Sequence, residues 1–287
     1  MTNFLDIAEE FSTAEGSRVH IIPVPYDATS TYRKGADRGP RAMIDASAQV
    51  EWFDIETRTE PHLQGIHTQS PVLCESDEPA DLSPMVGERV GAVLDAGKLP
   101  VVLGGEHSVS IGAILAASER YTGLTVLQID AHGDTRESYH GSTHNHACVM
   151  ARAREVAGIV QVGIRAIDRS EWEAFEPGRV FFAHEILGSA DDSWMEEVLA
   201  RCTEHVYLTF DLDAFDPSLL PATGTPEPGG LDWRTVNELV RRVCRERTVV
   251  GFDVVELCPH EAHHASDFIA AKLVHRLISE CLAARSG

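Results

Sequence analysis

Basic residues are scarce in this chain, lysine most of all. Twenty-four Lys and Arg stand against 45 Asp and Glu, a formal charge of −21 over 287 residues, with lysine only at Lys34, Lys98 and Lys272. Gripping a phosphate backbone needs a basic face, which argues against a nucleic-acid partner. The acidity suits a cationic small substrate, because a negative cleft concentrates cations. It also suits a surface kept soluble in high salt, and for the charge as a whole this reading takes precedence. Cysteine is sparse and scattered (Cys74, Cys148, Cys202, Cys244, Cys258, Cys281) without a CxxC pair, which excludes a disulfide-stapled scaffold. No stretch reaches the roughly 18 apolar residues of a membrane span. The opening MTNFLDIAEEFSTAEG has neither the basic start nor the apolar run of a secretion signal, so the expectation is cytoplasmic. Ordinary Gly, Pro and apolar contents exclude collagen-like and disordered classes.

What is present is alternation. Short β-branched runs at 18–24, 66–68, 100–103, 124–130, 159–163, 180–183, 205–211 and 248–255 read as strands. Amphipathic segments at 82–96, 193–202, 233–245 and 265–284 read as helices between them. Runs such as VVLGG and TVVGFDVV are apolar on both faces, as in a parallel sheet covered on both sides. The pattern predicts an α/β fold built of βαβ crossovers, with ligands beyond the carboxyl ends of the strands. No repeat or linker interrupts it, so residues 1–287 read as one domain.

The unusual residues fall at those strand ends. LTVLQI runs into DAHGD, with Asp130, His132 and Asp134 at alternate positions that share a face while the chain stays extended. HVYLTF runs into DLD, with Asp211 and Asp213, and PVVL into GGEH, with His107 just past two glycines. Taken singly, each is a helix cap or an ordinary histidine. Together, two His and four Asp at three strand ends make a metal site. Four clustered carboxylates repel and raise one another's pKa values, and two divalent cations would balance them. Oxygen-rich ligands with imidazole and no thiolate favour ions such as Mn²⁺. Two such ions about 3.5–4 Å apart can hold a water between them and lower its pKa.

GGEHS, DAHGD, SxxxHAC from Ser142 to Cys148, and FDLDAFDPSLLPATGTPEPGGL resemble the ureohydrolase family of arginases and agmatinases. PYDATSTYRKGADRGPRAM and GFDVVE are similar to family segments too, so the resemblance runs from about 21 to 271. It implies a three-layer α/β/α domain with an eight-stranded parallel sheet, two manganese ions per subunit, and a homotrimer or homohexamer. By the same resemblance His107, Asp130, Asp134 and Asp211 would hold one ion. His132, Asp130, Asp211 and Asp213 would hold the other. Asp134 would take a proton from the attacking water, His146 would carry one to the leaving amine, and Glu256 would pair with the substrate guanidinium, whose planar fork matches a carboxylate. The residues alone do not choose among His140, His144 and His146; only the family pattern selects His146. Asp253 and Asp216 read as structural acids.

The implied activity is hydrolysis of a linear guanidino compound to an amine and urea, foremost agmatine to putrescine, since HNHACVM and GTPEPGGL look more like agmatinase than arginase. Ser142 and Asp168 fall where arginases contact the amino-acid head, and Arg136 stands where arginases carry Asn. Arg136 could pair with the carboxylate of a guanidino acid such as guanidinobutyrate, or be a plain surface residue. A deacetylase-like amide hydrolase and a metal-stabilised binding protein are the readings from other classes. His260–His264 spells HEAHH, the pattern of zinc proteases, but it follows Pro259 out of a strand and reads as an exposed loop.

Overall fold

The computed structural model describes residues 3–173, 175–189 and 191–285. Eight strands, β1 (Val19–Val24), β2 (Ile66–Thr68), β3 (Leu99–Gly104), β4 (Thr125–Ile129), β5 (Gly158–Ile164), β6 (Val180–Phe182), β7 (His205–Asp211) and β8 (Thr248–Val255), form one sheet in the order β2-β1-β3-β8-β7-β4-β5-β6. Every pairing is parallel. Nearly every residue of the central strands is buried, because helices cover both faces, and this explains their unbroken apolar runs.

The helices divide between the two faces. Helices α1 (Gly39–Ser47), α6 (Ala183–Gly188), α7 (Ser193–Arg201), α8 (Trp233–Glu246) and α9 (His264–Ala284) pack with Val101, Leu127, Leu208 and Phe252 in one apolar layer. Helices α2 (Pro79–Asp95), α3 (Ser110–Ser118) and α4 (Val149–Ala153) pack with Val102, Val126, Tyr207 and Val250 in the other. Adjacent strand residues thus feed opposite layers, as the pleat requires. In α8 the Asp232 carboxylate caps the first turn by accepting the Thr235 amide at 2.7 Å, and Val236, Leu239, Val240 and Val243 form the buried stripe.

The expected strands are present within one or two residues at each end. The sequence reading missed α1, α3, α4, α6 and the one-turn α5 (Arg169–Trp172). Helix α3, SIGAILAAS, is buried almost all round and so shows no amphipathic period. The HEAHH segment forms a single 3₁₀ turn, Glu261–His263, with His260 as its cap. Since α9 begins only at His264, the two outer histidines share no helix face. Among the described residues no helix is long and apolar enough to cross a membrane.

Candidate metal centre and active site

Strands β3, β8, β7 and β4 are neighbours in the middle of the sheet, and the candidate residues lie just past their carboxyl ends. After β3 the chain turns through Gly105, where a Cβ would lie 2.0 Å from the Tyr26 carbonyl oxygen, so only glycine passes. His107 follows at the start of a short 3₁₀ turn. β4 ends at Ile129, and Asp134 adopts a left-handed φ of 52°. The three DAHGD side chains therefore do not converge as one straight strand face. Asp130 and Asp134 reach His107, whereas His132 reaches Asp213.

His107 Nδ1 lies 3.2 Å from Asp130 Oδ2, 3.0 Å from Asp134 Oδ2 and 3.4 Å from Asp211 Oδ2. His132 Nδ1 lies 3.0 Å from Asp213 Oδ2 and 3.7 Å from Asp130 Oδ1. Two ligand groups result, His107–Asp130–Asp211 and Asp130–His132–Asp213, and Asp130 belongs to both, one oxygen toward each histidine. Its carboxylate is further held by the Gln128 side-chain amide at 2.6 Å and the His132 amide at 2.6 Å. Asp211 accepts the Asp213 amide, and Asp213 the Ala131 amide.

Hydrogen bonding sets the state of His107. Thr209 donates its hydroxyl to Asp253 at 2.7 Å, so it accepts from His107 Nε2–H at 2.8 Å. A neutral His107 would therefore turn the buried Nδ1 lone pair toward three carboxylates. Unbalanced negative charge of this kind is the signature of a cation site. In the bare site protons take the cation's place. Burial, then the neighbouring aspartates, lifts Asp134 to about 6 and Asp211 well above the carboxylate range. Burial pulls His107 and His132 down, but the surrounding carboxylates outweigh it and raise both. Burial would raise Asp130 as well, yet the two histidines hold it low. A proton and a metal ion at His107 Nδ1 answer the same charge, so the donor set fits two hard or borderline divalent ions.

Beside the ligands lies a cavity of about 290 Å³, lined also by Ser30, Thr31, Tyr32, Arg136, Tyr139, His146, Glu171, Glu227 and Glu256. Of the three clustered histidines, His146 alone lines it. Burial, then positive charge on His132 and His107, lowers His146 to about 4, which keeps it neutral at pH 7. Glu256 has a left-handed φ of 66°, and its Oε1 accepts the His107 amide at 2.8 Å. Its Oε2 faces Gly224, where a Cβ would lie at an ordinary contact distance of 3.5 Å.

Arg136 lines the cavity with its charge engaged: its Nε lies 3.4 Å from Glu171 Oε2, and its guanidinium stacks 4.3 Å from the Tyr139 ring centre. The other two substrate-contact expectations do not reach the cavity. Ser142 donates to Glu78 at 2.6 Å, and Asp168 is exposed and caps α5 in a capping box with Glu171. Asp216 organises the loop before α8 by accepting the Gly229 and Gly230 amides. Sequence reasoning missed Thr29, Glu106, Tyr139, Glu171 and Glu227. None has a motif spacing of its own, although Glu106 lies inside GGEH, Thr29 inside PYDATSTYRKG and Glu227 inside GTPEPGGL.

The sequence profile of the arginase family matches residues 17–279. A Synechocystis protein named N(1)-aminopropylagmatine ureohydrolase is 38% identical over 282 residues, covering 94% of this chain and 91% of its own. A Thermus thermophilus protein of the same name is 39% identical over 277 residues, covering 96% and 94%. Among solved structures, the agmatine ureohydrolase of Thermoplasma volcanium superposes with a TM-score of 0.88 at 31% identity, covering 100% of this chain and 96% of that one.

Proposed function

The chain belongs to the arginase family of ureohydrolases, hydrolases of the C–N bonds of linear amidines, and from that premise we propose that it cleaves N(1)-aminopropylagmatine to urea and the corresponding triamine. The observation that carries the choice of substrate is the 38–39% identity, along nearly the whole chain, to two relatives bearing that name. The cavity wall supports it. Glu227 lies there outside the ligand set, and a carboxylate suits the ammonium groups of a polyamine tail. Arg136, held by Glu171 and Tyr139, is engaged within the protein rather than free for a guanidino acid's carboxylate. Agmatine, shorter by the aminopropyl unit, is the second reading, favoured by the motif wording HNHACVM and GTPEPGGL.

In this proposal His107, Asp130, Asp134 and Asp211 would hold one manganese ion, and His132, Asp130, Asp211 and Asp213 would hold the other. Two such ions supply Lewis acidity and make a nucleophile from water at neutral pH. The chain's own residues do the rest. Oε2 of Glu256, the oxygen not taken by the His107 amide, pairs with the guanidinium and turns its carbon toward the ligand cluster. Asp134 holds the proton that leaves the attacking water. His146, neutral at pH 7, takes up a proton and passes it to the departing amine as the C–N bond breaks. One sheet carries all eight strands, which supports reading the chain as one domain. A homotrimer or homohexamer belongs to the same proposal, supported by exposed Trp52, Phe53 and Ile55 in one short segment.

The test is urea release after Mn²⁺ incubation, at low and high salt, from N(1)-aminopropylagmatine, agmatine, arginine and guanidinobutyrate. We expect the highest kcat/KM on the aminopropyl compound. A tenfold preference for agmatine would move the assignment to the shorter substrate, and a preference for guanidinobutyrate would make Arg136 its carboxylate partner. No urea from any of them, with metal bound, would refute the reading.

A further inference from the structure

Glu106 is fully buried between His107 and the turn glycines, yet it is neither one of the ligands nor part of the cavity wall. Its carboxylate accepts four hydrogen bonds. Oε2 takes the Thr29 amide at 2.5 Å and the Ser30 amide at 3.0 Å, while Oε1 takes the Thr29 hydroxyl at 2.8 Å and the Ser108 hydroxyl at 2.5 Å. Four donors leave no place for a proton of its own, so the group is a carboxylate.

This fixes the next bond. The Thr29 hydroxyl has one hydrogen and spends it on Glu106. Lying 3.0 Å from His146 Nδ1, it can only accept there, as it does from the His146 amide at 3.2 Å. His146 therefore carries its hydrogen on Nδ1 and a lone pair on Nε2. The Tyr139 ring meets the imidazole edge-on at a centroid distance of 6.1 Å and limits its rotation. The same carboxylate pins the backbone of Thr29 and Ser30, so one anchor sets both the imidazole and the Ser30–Thr31 wall of the cavity.

We propose that Glu106 and Thr29 are positioning residues, a carboxylate–hydroxyl–imidazole relay that fixes the tautomer and orientation of His146. The inference rests on the reading of His146 as the proton carrier. The proton that Asp134 took from the water is released to Nε2, making an imidazolium whose Nδ1–H stays on Thr29. The Nε2 proton then goes to the leaving nitrogen as its bond to the guanidinium carbon breaks, which restores the starting tautomer. No proton travels along the relay. Its work is to keep Nε2 the basic nitrogen and to place negative charge behind the imidazolium.

The experiment compares Thr29→Val, which keeps the shape and deletes the hydroxyl, with Thr29→Ser, His146→Ala and the Thr29→Val/His146→Ala pair, each assayed for kcat, KM and bound manganese. Thr29→Val is expected to lower kcat by about 10–100-fold with both ions retained and KM within about threefold. Thr29→Ser should recover kcat to within about threefold, and Thr29→Val should cost nothing further in the His146→Ala background. Wild-type kcat in Thr29→Val beside an impaired His146→Ala would overturn the relay alone. So would metal lost together with rate, or an undiminished effect in the double variant. Full activity in His146→Ala would overturn the proton-carrier reading and the relay with it.

Discussion

The aspartates of the ligand cluster, 0–6% exposed, make the metal-free protein hold charge that its own burial opposes, and Asp134→Asn measures this directly. Burial, reinforced by Asp130, lifts the Asp134 carboxyl from 3.8 to about 6 against the pull of His107. An acid whose folded value exceeds its unfolded one binds its proton more tightly when folded. Its contribution to stability is therefore complete below 3.8 and is lost as the pH rises through 6. At about 1.4 kcal/mol per tenfold, that displacement amounts to about 3 kcal/mol by pH 8. The asparagine side chain would carry no charge, and its oxygen could still accept from the protonated His107 Nδ1, now 3.0 Å from Asp134 Oδ2. Chelator-treated Asp134→Asn should thus melt about 5–10 °C above chelator-treated wild type at pH 8, with most of the gain gone near pH 4. Saturating Mn²⁺ should reverse the order, because wild type gains more by mass action than a variant lacking a ligand. Thermal melts followed by circular dichroism from pH 4 to 8, with and without Mn²⁺, decide it. A metal-free variant less stable than wild type at pH 8, or a gain independent of pH, would refute the reasoning.

Asp213→Ala removes the partner of His132 at 3.0 Å and should lose manganese and activity together, whereas His146→Ala should keep both ions and lose rate by about 10²–10⁴-fold; metal analysis beside urea release separates the two. Glu256→Gln keeps an oxygen for the His107 amide and forfeits the charge, so kcat/KM should fall about 10–100-fold at unchanged metal content, as steady-state kinetics will show. Gly105→Ala places a Cβ 2.0 Å from the Tyr26 carbonyl and should yield little soluble protein, with any soluble fraction melting well below wild type and short of metal.

Much of the fold was legible because both faces of the sheet are covered. A central strand with no solvent side reads as a run of buried, mostly apolar residues, whereas the edge strands β2 and β6 are three residues long and partly exposed; all eight expected segments became strands. Among the missed helices, burial erases the period of α3, and α4 and α5 are only about a turn long, whereas α1, nine residues with one buried face, is not explained by either reason. At the site, the six expected ligands cluster because each sits at a strand end, where a parallel sheet exposes its loops. The geometry differed in detail. β4 ends at Ile129 and Asp134 is left-handed, so Asp130 and Asp134 reach His107 while His132 reaches Asp213, and nothing in the letters DAHGD marks that turn. Ser142 and Asp168 failed to reach the cavity because Glu78 and the cap of α5 claim them first.

By itself the sequence determined the chemistry available: two histidines and four aspartates placed to leave strand ends, a charge suited to a cationic substrate, and an alternation that yields a parallel sheet. Only the tertiary structure decided which strand ends meet. β3, β8, β7 and β4 lie side by side although some 150 residues separate the first from the last along the chain, because crossover connections, rather than chain order, set adjacency in such a sheet. The same holds for Thr29, Glu106 and His146, which come from three separate loops and become a hydrogen-bonded set only when the sheet brings those loops to one edge. Spacing along a strand can announce a ligand, whereas the partner that orients it is chosen by packing.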